Sequence, residues 1–177
     1  MGGLALHNIE LTDANEIEKI NFAAESMLLS SRCDVIDIFP AQVPKFSVWY
    51  GDVEQYFLRV SFNEYLEKCF RIILKFLCYY TYTAVQSEFP RQVPGTDQFK
   101  NACMTYRKIT VDDMKSLLSD TVRRNGCFSV YFKEMPLLIV IGSDSFDATV
   151  YGLNCSLKIL NLFSSLAQSE GLFLREC

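Results

Sequence analysis

The first clear pattern in the chain is a helical repeat of apolar residues between positions 13 and 31. Ile17, Ile20 and Ala24 recur at three- and four-residue spacing, which places them on one face of an α-helix. Asp13 begins a motif like a capping box, with Glu three residues later. These positions predict an amphipathic helix over residues 13–31.

Shorter patterns follow and predict β-strands. Residues 35–39 are mostly β-branched or aromatic and predict one strand. Residues 46–50 and 56–62 alternate apolar and polar side chains around a Gly-Asp pair, which predicts a β-hairpin. A second motif like a capping box, at Ser61, opens a long apolar helix that is predicted to continue to about Gln86.

A similar order of elements follows in the last third of the chain. A helix is predicted over residues 110–124, with a threonine at its N-cap and Asn-Gly after its end. Short apolar runs predict strands at 128–132, 137–141 and 146–151. A final apolar helix is predicted over residues 153–169.

These elements predict an α+β fold with a repeated element order. Each of two units would contain a helix, a three-strand antiparallel meander and a second helix, and the two units would share one core in a single compact domain covering residues 1–177. The sub-units are predicted at about 13–86 and 110–177, with 87–109 as the connecting segment. The repeat is one of element order, since residue identity between the two halves is weak.

The net charge and its distribution along the chain indicate which kinds of partner the protein could bind. The net charge is −4 at pH 7, and residues 1–54 hold nine acidic and only three basic residues. Binding to nucleic acid or to an anionic membrane is therefore not expected, and a basic protein partner is favoured. The apolar run 69–85 is interrupted by Arg71 and Lys75, so it predicts a buried core helix rather than a membrane span.

The seven cysteines indicate the compartment. Their number is odd, no two have metal-knuckle spacing, and several lie in apolar runs, which predicts reduced, buried thiols in a cytoplasmic protein. Residues 1–10 lack the features of a secretory leader. No metal site and no cofactor are expected from this pattern.

The sequence contains few residues or motifs that indicate catalysis. His7 is the one histidine, and no phosphate-binding, dinucleotide-binding or nucleophile-elbow motif occurs. The loop 142–147 brings Asp144 and Asp147 beside serine hydroxyls, so a small enzyme using these two carboxylates is one alternative. The simpler interpretation of the loop is a turn between two strands. We therefore expect a protein that is not an enzyme.

The first helix offers the better candidate surface. Glu18, Phe22, Glu25 and Leu29 are spaced i, i+4, i+7 and i+11, on the side away from the predicted core face. An alternating acidic and apolar stripe suits a basic partner, although the helix could instead be packed on both sides. A second set of candidate anchors lies at and after the predicted hairpin tip: Trp49, Tyr50, Asp52 and Glu54.

The sequence thus favours a protein that acts by binding another protein. The preferred hypothesis is an acidic inhibitor, such as a bacterial immunity protein that blocks a cationic, nuclease-type toxin. A chaperone of the type III secretion kind is the alternative. The sequence leaves the oligomeric state open.

Overall fold

Helices and antiparallel strands alternate along the chain in this computed structural model. The structure describes residues 9–11, 13–30, 32–41, 47–92, 99–143, 146 and 148–177. In these ranges the helices are α1 (Ala14–Ser30), α2 (Tyr50–Leu77), α3 (Val111–Arg123) and α4 (Leu157–Ser169). The strands are β1 (Ile9–Glu10), β2 (Cys33–Asp37), β3 (Ala84–Gln92), β4 (Phe99–Lys108), β5 (Cys127–Phe132), β6 (Leu137–Ile141), β7 (Ala148–Tyr151) and β8 (Phe173–Glu176). The predicted α+β class is confirmed.

The chain forms two compact units, and each unit is built from two separate stretches of sequence. The first unit comprises Met1–Ser30 and Tyr82–Ser143, and the second comprises Ser31–Thr81 and Asp144–Cys177. This division differs from the predicted consecutive sub-units 13–86 and 110–177. The difference arises because β2 and α2 are associated with the C-terminal segment.

The first unit is an antiparallel sheet with a helix on each face. The strands pair in the order β1, β4, β3, β5, β6. Successive side chains of β3 point to opposite faces. Ser87 lies 2.5 Å from Thr121 of α3 between hydroxyl oxygens, whereas the Gln86 amide donates to Asn21 of α1 at 2.7 Å. The helices α1 and α3 therefore cover opposite faces of this sheet.

The helix α3 follows its predicted boundaries closely. The Asp113 backbone N–H donates to the Thr110 hydroxyl at 3.2 Å, which satisfies one of the free N–H groups at the helix start. After the helix, Asn125 adopts a left-handed conformation with φ of 55°. A Cβ on Gly126 would clash with the backbone carbonyl of Glu88. Glycine is thus required where the turn passes over β3.

In the second unit three strands pair antiparallel in the sheet, with β2 between β7 and β8. Tyr65 of α2 is buried against this sheet, and its hydroxyl lies 2.7 Å from the carbonyl oxygens of both Ile36 and Phe146. The same hydroxyl accepts a hydrogen bond from the Ala148 N–H at 2.8 Å. Phe76 of α2 is fully buried and stacks edge-on against a phenylalanine of α4. These contacts fix the second half of α2 in the core of its unit.

The predicted hairpin is wrong. Tyr50–Leu77 is one continuous helix, so residues 56–62 are helical, and the Gly-Asp pair lies in the first helical turn. Over a few residues an alternating pattern also fits a helix, and an aspartate in a first helical turn is favoured by the helix dipole. Ser61 lies inside the helix and does not cap it. The predicted repeat of element order is therefore not confirmed.

The segment predicted as a connection also forms regular structure. Residues 87–109 contain most of β3 and all of β4, and β3 begins before the predicted end of the long helix at Gln86. Pro90 lies in β3 beyond Glu88, where the pairing of β3 with β5 ends. There β3 pairs with β4 alone, with Asn101 opposite Pro90, so the proline has a neighbouring strand on one side only. The short strands β1 and β8 were not predicted.

Candidate functional site

The outer face of α1 is the candidate site, and its side chains are exposed as the spacing predicts. Ile20, Ala24 and Met27 are buried on the inner side of the helix. On the opposite side Phe22 is 71% exposed and Leu29 is 89% exposed. The helix is therefore covered on one side only in the described part of the chain. We call the set Glu18, Phe22, Glu25 and Leu29 the α1 face.

Both carboxylates of the α1 face are exposed, so they alternate with the two apolar side chains on the surface. Covering an exposed apolar side chain with a partner surface lowers the free energy of the complex. A carboxylate beside it makes that covering costly unless the partner supplies a positive charge or donors. The α1 face therefore has a composition complementary to a surface that is both apolar and basic.

Local interactions hold α1 on its sheet. The Asp13 carboxylate accepts a hydrogen bond from the Asn15 N–H at 3.0 Å at the start of the helix. Glu16 forms an ion pair with Arg107 of β4. Near the middle of the helix, the Asn21 side chain accepts the hydrogen bond from Gln86. These contacts position the helix without using any residue of the α1 face.

A groove of about 390 Å³ with a largely apolar lining runs beside α1 on the sheet of the first unit. Helix α1 and four strands line the groove. The lining residues from α1 are Asn21, Ala24, Glu25 and Leu28, and those from the strands are Gln86, Glu88, Asn101, Cys103, Cys127, Ser129, Leu138 and Val140. Strand register explains this grouping, since Glu88 of β3 is paired with Cys103 on one side and with Cys127 on the other. The groove thus has two carboxylates, Glu25 and Glu88, and no Lys or Arg among its described lining residues.

The groove is organised around Glu88. The Asn101 side-chain amide donates to a Glu88 carboxylate oxygen at 2.7 Å. Partial burial raises the pKa of the Cys103 thiol, a hydrogen bond with Thr105 lowers it by less, and the nearby Glu88 carboxylate adds a still smaller increase. A reactive thiol needs a lowered pKa, so this cysteine is not activated as a nucleophile. The groove therefore offers two carboxylates as hydrogen-bond acceptors beside an apolar wall that includes Leu138 and Val140.

The other predicted anchors lie in the second unit. Trp49 immediately precedes α2 and is 72% exposed, and the next three anchors occupy the first turns of that helix. The Tyr50 hydroxyl donates to Glu54 at 3.2 Å, and Asp52 is exposed. The predicted site residues therefore fall on two different helices, four in each compact unit.

Sequence reasoning missed two groups of residues. Glu88 and Asn101 were assigned to a connecting segment, and only the pairing of β3 with β4 brings them to the groove. Val53, Tyr56 and Val60 were assigned to a hairpin, although their spacing with Trp49 is 4-3-4, a helical signal. Asp144 and Asp147, as well as His7, lie outside the described residues.

The acidity of the N-terminal third is shared between the two units. The first unit contains eleven acidic and nine basic residues, and the second contains ten and eight. In addition, Asp37 of β2 is buried and accepts a hydrogen bond from the Arg175 guanidinium at 2.6 Å. The acidic character that a partner would meet is therefore local to surfaces such as the α1 face.

The cysteines differ from the expectation of reduced, buried thiols. Cys33 of β2 and Cys177, which follows β8, form a disulfide with a Cα–Cα distance of 5.6 Å. Cys69 is fully buried, and burial raises the pKa of its thiol to about 12. The remaining four, Cys78, Cys103, Cys127 and Cys155, are exposed thiols. The expectation failed because β-sheet pairing of β2 with β8 brings together two cysteines that lie 144 residues apart.

Neither a cluster of metal ligands nor a membrane-spanning helix occurs among the described residues. No group of three or more His, Cys, Asp or Glu side chains is arranged to hold a metal ion. None of the described helices is both long enough and apolar enough to pass through a bilayer.

Comparison with family models, with curated proteins and with solved structures gives no match to this chain.

Proposed function

We propose that this protein binds a basic protein through the α1 face and inhibits it, in the manner of an immunity protein that blocks a cationic, nuclease-type toxin. The observation that carries the proposal is the exposure of Phe22 and Leu29 in alternation with two exposed carboxylates. Buried aromatic and aliphatic anchors supply most of the affinity in protein interfaces, and charges supply orientation and encounter rate.

The groove beside α1 supports the same proposal. Glu25 belongs both to the α1 face and to the groove lining, so a partner on the face would reach the groove without a second docking event. A lysine or arginine of the partner could then lie near Glu25 and Glu88. A charge-assisted hydrogen bond to a carboxylate is roughly twice as strong as a neutral one.

The first experiment tests the face. The wild-type protein and the variant Glu18→Lys/Glu25→Lys are immobilised and used to capture proteins from the source organism. Asp120→Lys/Glu134→Lys is the matched control, because it makes the same change in net charge at exposed positions of the first unit. We expect a protein that the wild type and the control retain and the Glu18/Glu25 variant loses. Equal capture by all three would contradict the α1 face as the binding surface.

The second experiment tests inhibition separately from binding. The captured protein is assayed for nuclease activity with and without added wild-type protein. Loss of activity at one equivalent supports an inhibitor of the immunity type. If the complex forms and the nuclease activity persists, or if the captured protein has none, the inhibitor proposal is contradicted while the binding face remains.

A further inference from the structure

The first half of α2 is only partly packed within the chain: Phe62 contacts Phe146, whereas Val53, Tyr56 and Val60 are exposed. All the buried residues of α2 lie at Tyr65 or beyond it, so the stretch Tyr50–Glu64 contains none. Seven of its fifteen residues are nevertheless apolar or aromatic. A helix segment of this composition normally packs against another element.

The exposed apolar residues of this segment form a regular stripe. Trp49, Val53, Tyr56 and Val60 follow one another at spacings of four, three and four residues, and Tyr56 and Val60 are 53% and 54% exposed. This is the heptad spacing of a helix that pairs with another helix along a narrow seam. In heptad terms Val53 and Val60 occupy a positions, and Trp49 and Tyr56 occupy d positions. We call these four residues the α2 stripe.

Charges beside the stripe indicate what covers it. Asp52 and Arg59 are exposed, seven residues apart, and lie on the same flank of the α2 stripe in g positions. When two identical helices pack in opposite directions, each flank meets the same flank of the other helix. Asp52 of one copy then faces Arg59 of the other, and the two-fold symmetry makes this ion pair twice. A parallel pair would instead place Asp52 beside the aromatic Phe57.

The direction of the remaining helix favours the same arrangement. From Tyr65 onward α2 is buried in the second unit. In an antiparallel pair the two helices enter their own units at opposite ends of the seam, so the units do not compete for space. We propose that the protein self-associates through the α2 stripe, as an antiparallel helix pair with a second copy of this chain.

Sedimentation velocity on the full chain over a range of concentrations tests the proposal. We expect a dimer that dissociates on dilution, and a monomer at all concentrations for Val53→Lys/Val60→Lys with an unchanged circular dichroism spectrum. Phe22→Lys/Leu29→Lys is the matched control, since it places two lysines on the exposed α1 face. A wild-type monomer at every concentration, or a dimer that only the control disrupts, would overturn the proposal.

A charge swap tests the direction of the pair. Asp52→Arg and Arg59→Asp alone each replace two attractive contacts by two repulsive ones, and we expect dissociation constants about tenfold higher. The double variant Asp52→Arg/Arg59→Asp restores both contacts and should return to the wild-type value. If the double variant is as weak as the single ones, the antiparallel pairing is wrong.

The single tryptophan provides an independent readout that does not depend on mass. Trp49 lies in the α2 stripe and is the one tryptophan of the chain. Pairing would remove it from water, so its fluorescence emission should shift to longer wavelength as the dimer is diluted. An emission maximum that stays constant across the dissociation measured by sedimentation would place the interface elsewhere.

Discussion

The α1 face and the α2 stripe share one spacing and differ in where their charges lie. Both place exposed side chains at i, i+4, i+7 and i+11, but in α1 every second position is a glutamate, whereas in α2 all four are apolar. A second copy on the α1 face would press Phe22 against a carboxylate and bury an unpaired charge. On α2 the charges stand at the flank, where a second copy neutralises them. Two exposed surfaces with the same spacing thus predict different partners.

The largest expected effects separate the inner from the outer side of each helix. Met27→Ala in α1 and Ile73→Ala in α2 remove buried side chains and should each lower the free energy of unfolding by about 2–5 kcal/mol. Leu29→Ala and Val60→Ala remove exposed side chains and should change it by at most about 0.5 kcal/mol. Urea unfolding at a concentration where the chain is monomeric measures all four.

The same four variants test whether the outer side of each helix is exposed in solution. If Leu29→Ala costs as much as Met27→Ala, the outer side of α1 is covered within the chain and does not form a binding face. If Val60→Ala lowers the free energy of unfolding as much as Ile73→Ala does, the α2 stripe is likewise covered within the chain. Either result would remove the structural basis of the corresponding proposal.

The second prediction concerns the crosslink in the unit that carries the α2 stripe. The Cys33–Cys177 disulfide joins residues far apart in sequence, which restricts the unfolded chain. Cys33→Ser/Cys177→Ser should lower the free energy of unfolding by about 2–4 kcal/mol. A reducing agent should lower the wild-type stability toward that of the variant, whereas Cys78→Ser/Cys155→Ser, at exposed thiols, is the control. A wild type that is insensitive to reductant would show that the bond does not form in solution.

Much of the fold was predictable because several helices and strands have clear signals in their own local sequence. The helices α1 and α3 have both a capping side chain and a clean apolar face, and their boundaries were predicted within about two residues. Strands β5 and β6 are short apolar runs between turn residues, and they too were predicted. Local chemistry was sufficient for these four.

The failures share a physical cause, which is that long-range contacts decide the outcome. The residue pattern at the start of α2 fits a hairpin and a helix equally well. The helix forms because its continuation from Tyr65 onward is buried. The groove depends on strand pairing that joins Glu88 to Cys103 and Cys127, which no local pattern encodes. The exposure of the four side chains of the α1 face, by contrast, follows from helical periodicity alone.

The third prediction separates affinity from steering on the α1 face. With the protein captured by the α1 face as the ligand, Phe22→Ala should weaken binding about tenfold, mainly through faster dissociation. Glu25→Gln should act mainly on the association rate and reduce its dependence on salt. Surface plasmon resonance at several salt concentrations measures both rates. A complex whose affinity does not change with salt would remove the electrostatic part of the α1 face.

The smallest expected effect concerns the ion pairs that hold α2 to its own unit. Burial alone raises the pKa of Glu170, but the hydrogen bonds and charges of Lys75 and Arg71 outweigh burial and hold this pKa below its ordinary value. The Arg71 Nε lies 2.7 Å from one carboxylate oxygen of Glu170. The charged carboxylate therefore stabilises the folded chain, in full above the ordinary pKa of a glutamate.

Acid should remove this contribution, since it is lost as the pH falls through the lowered pKa of the folded state. Glu170→Gln, which cannot titrate, should be less stable than wild type at neutral pH, and the difference should shrink toward zero with increasing acid. Glu134→Gln, at an exposed turn, is the control. Urea unfolding at a series of pH values gives the difference directly. If the gap between wild type and Glu170→Gln stays constant into the acid range, these ion pairs do not anchor α2, and the packing around Tyr65 and Phe76 must hold the helix alone.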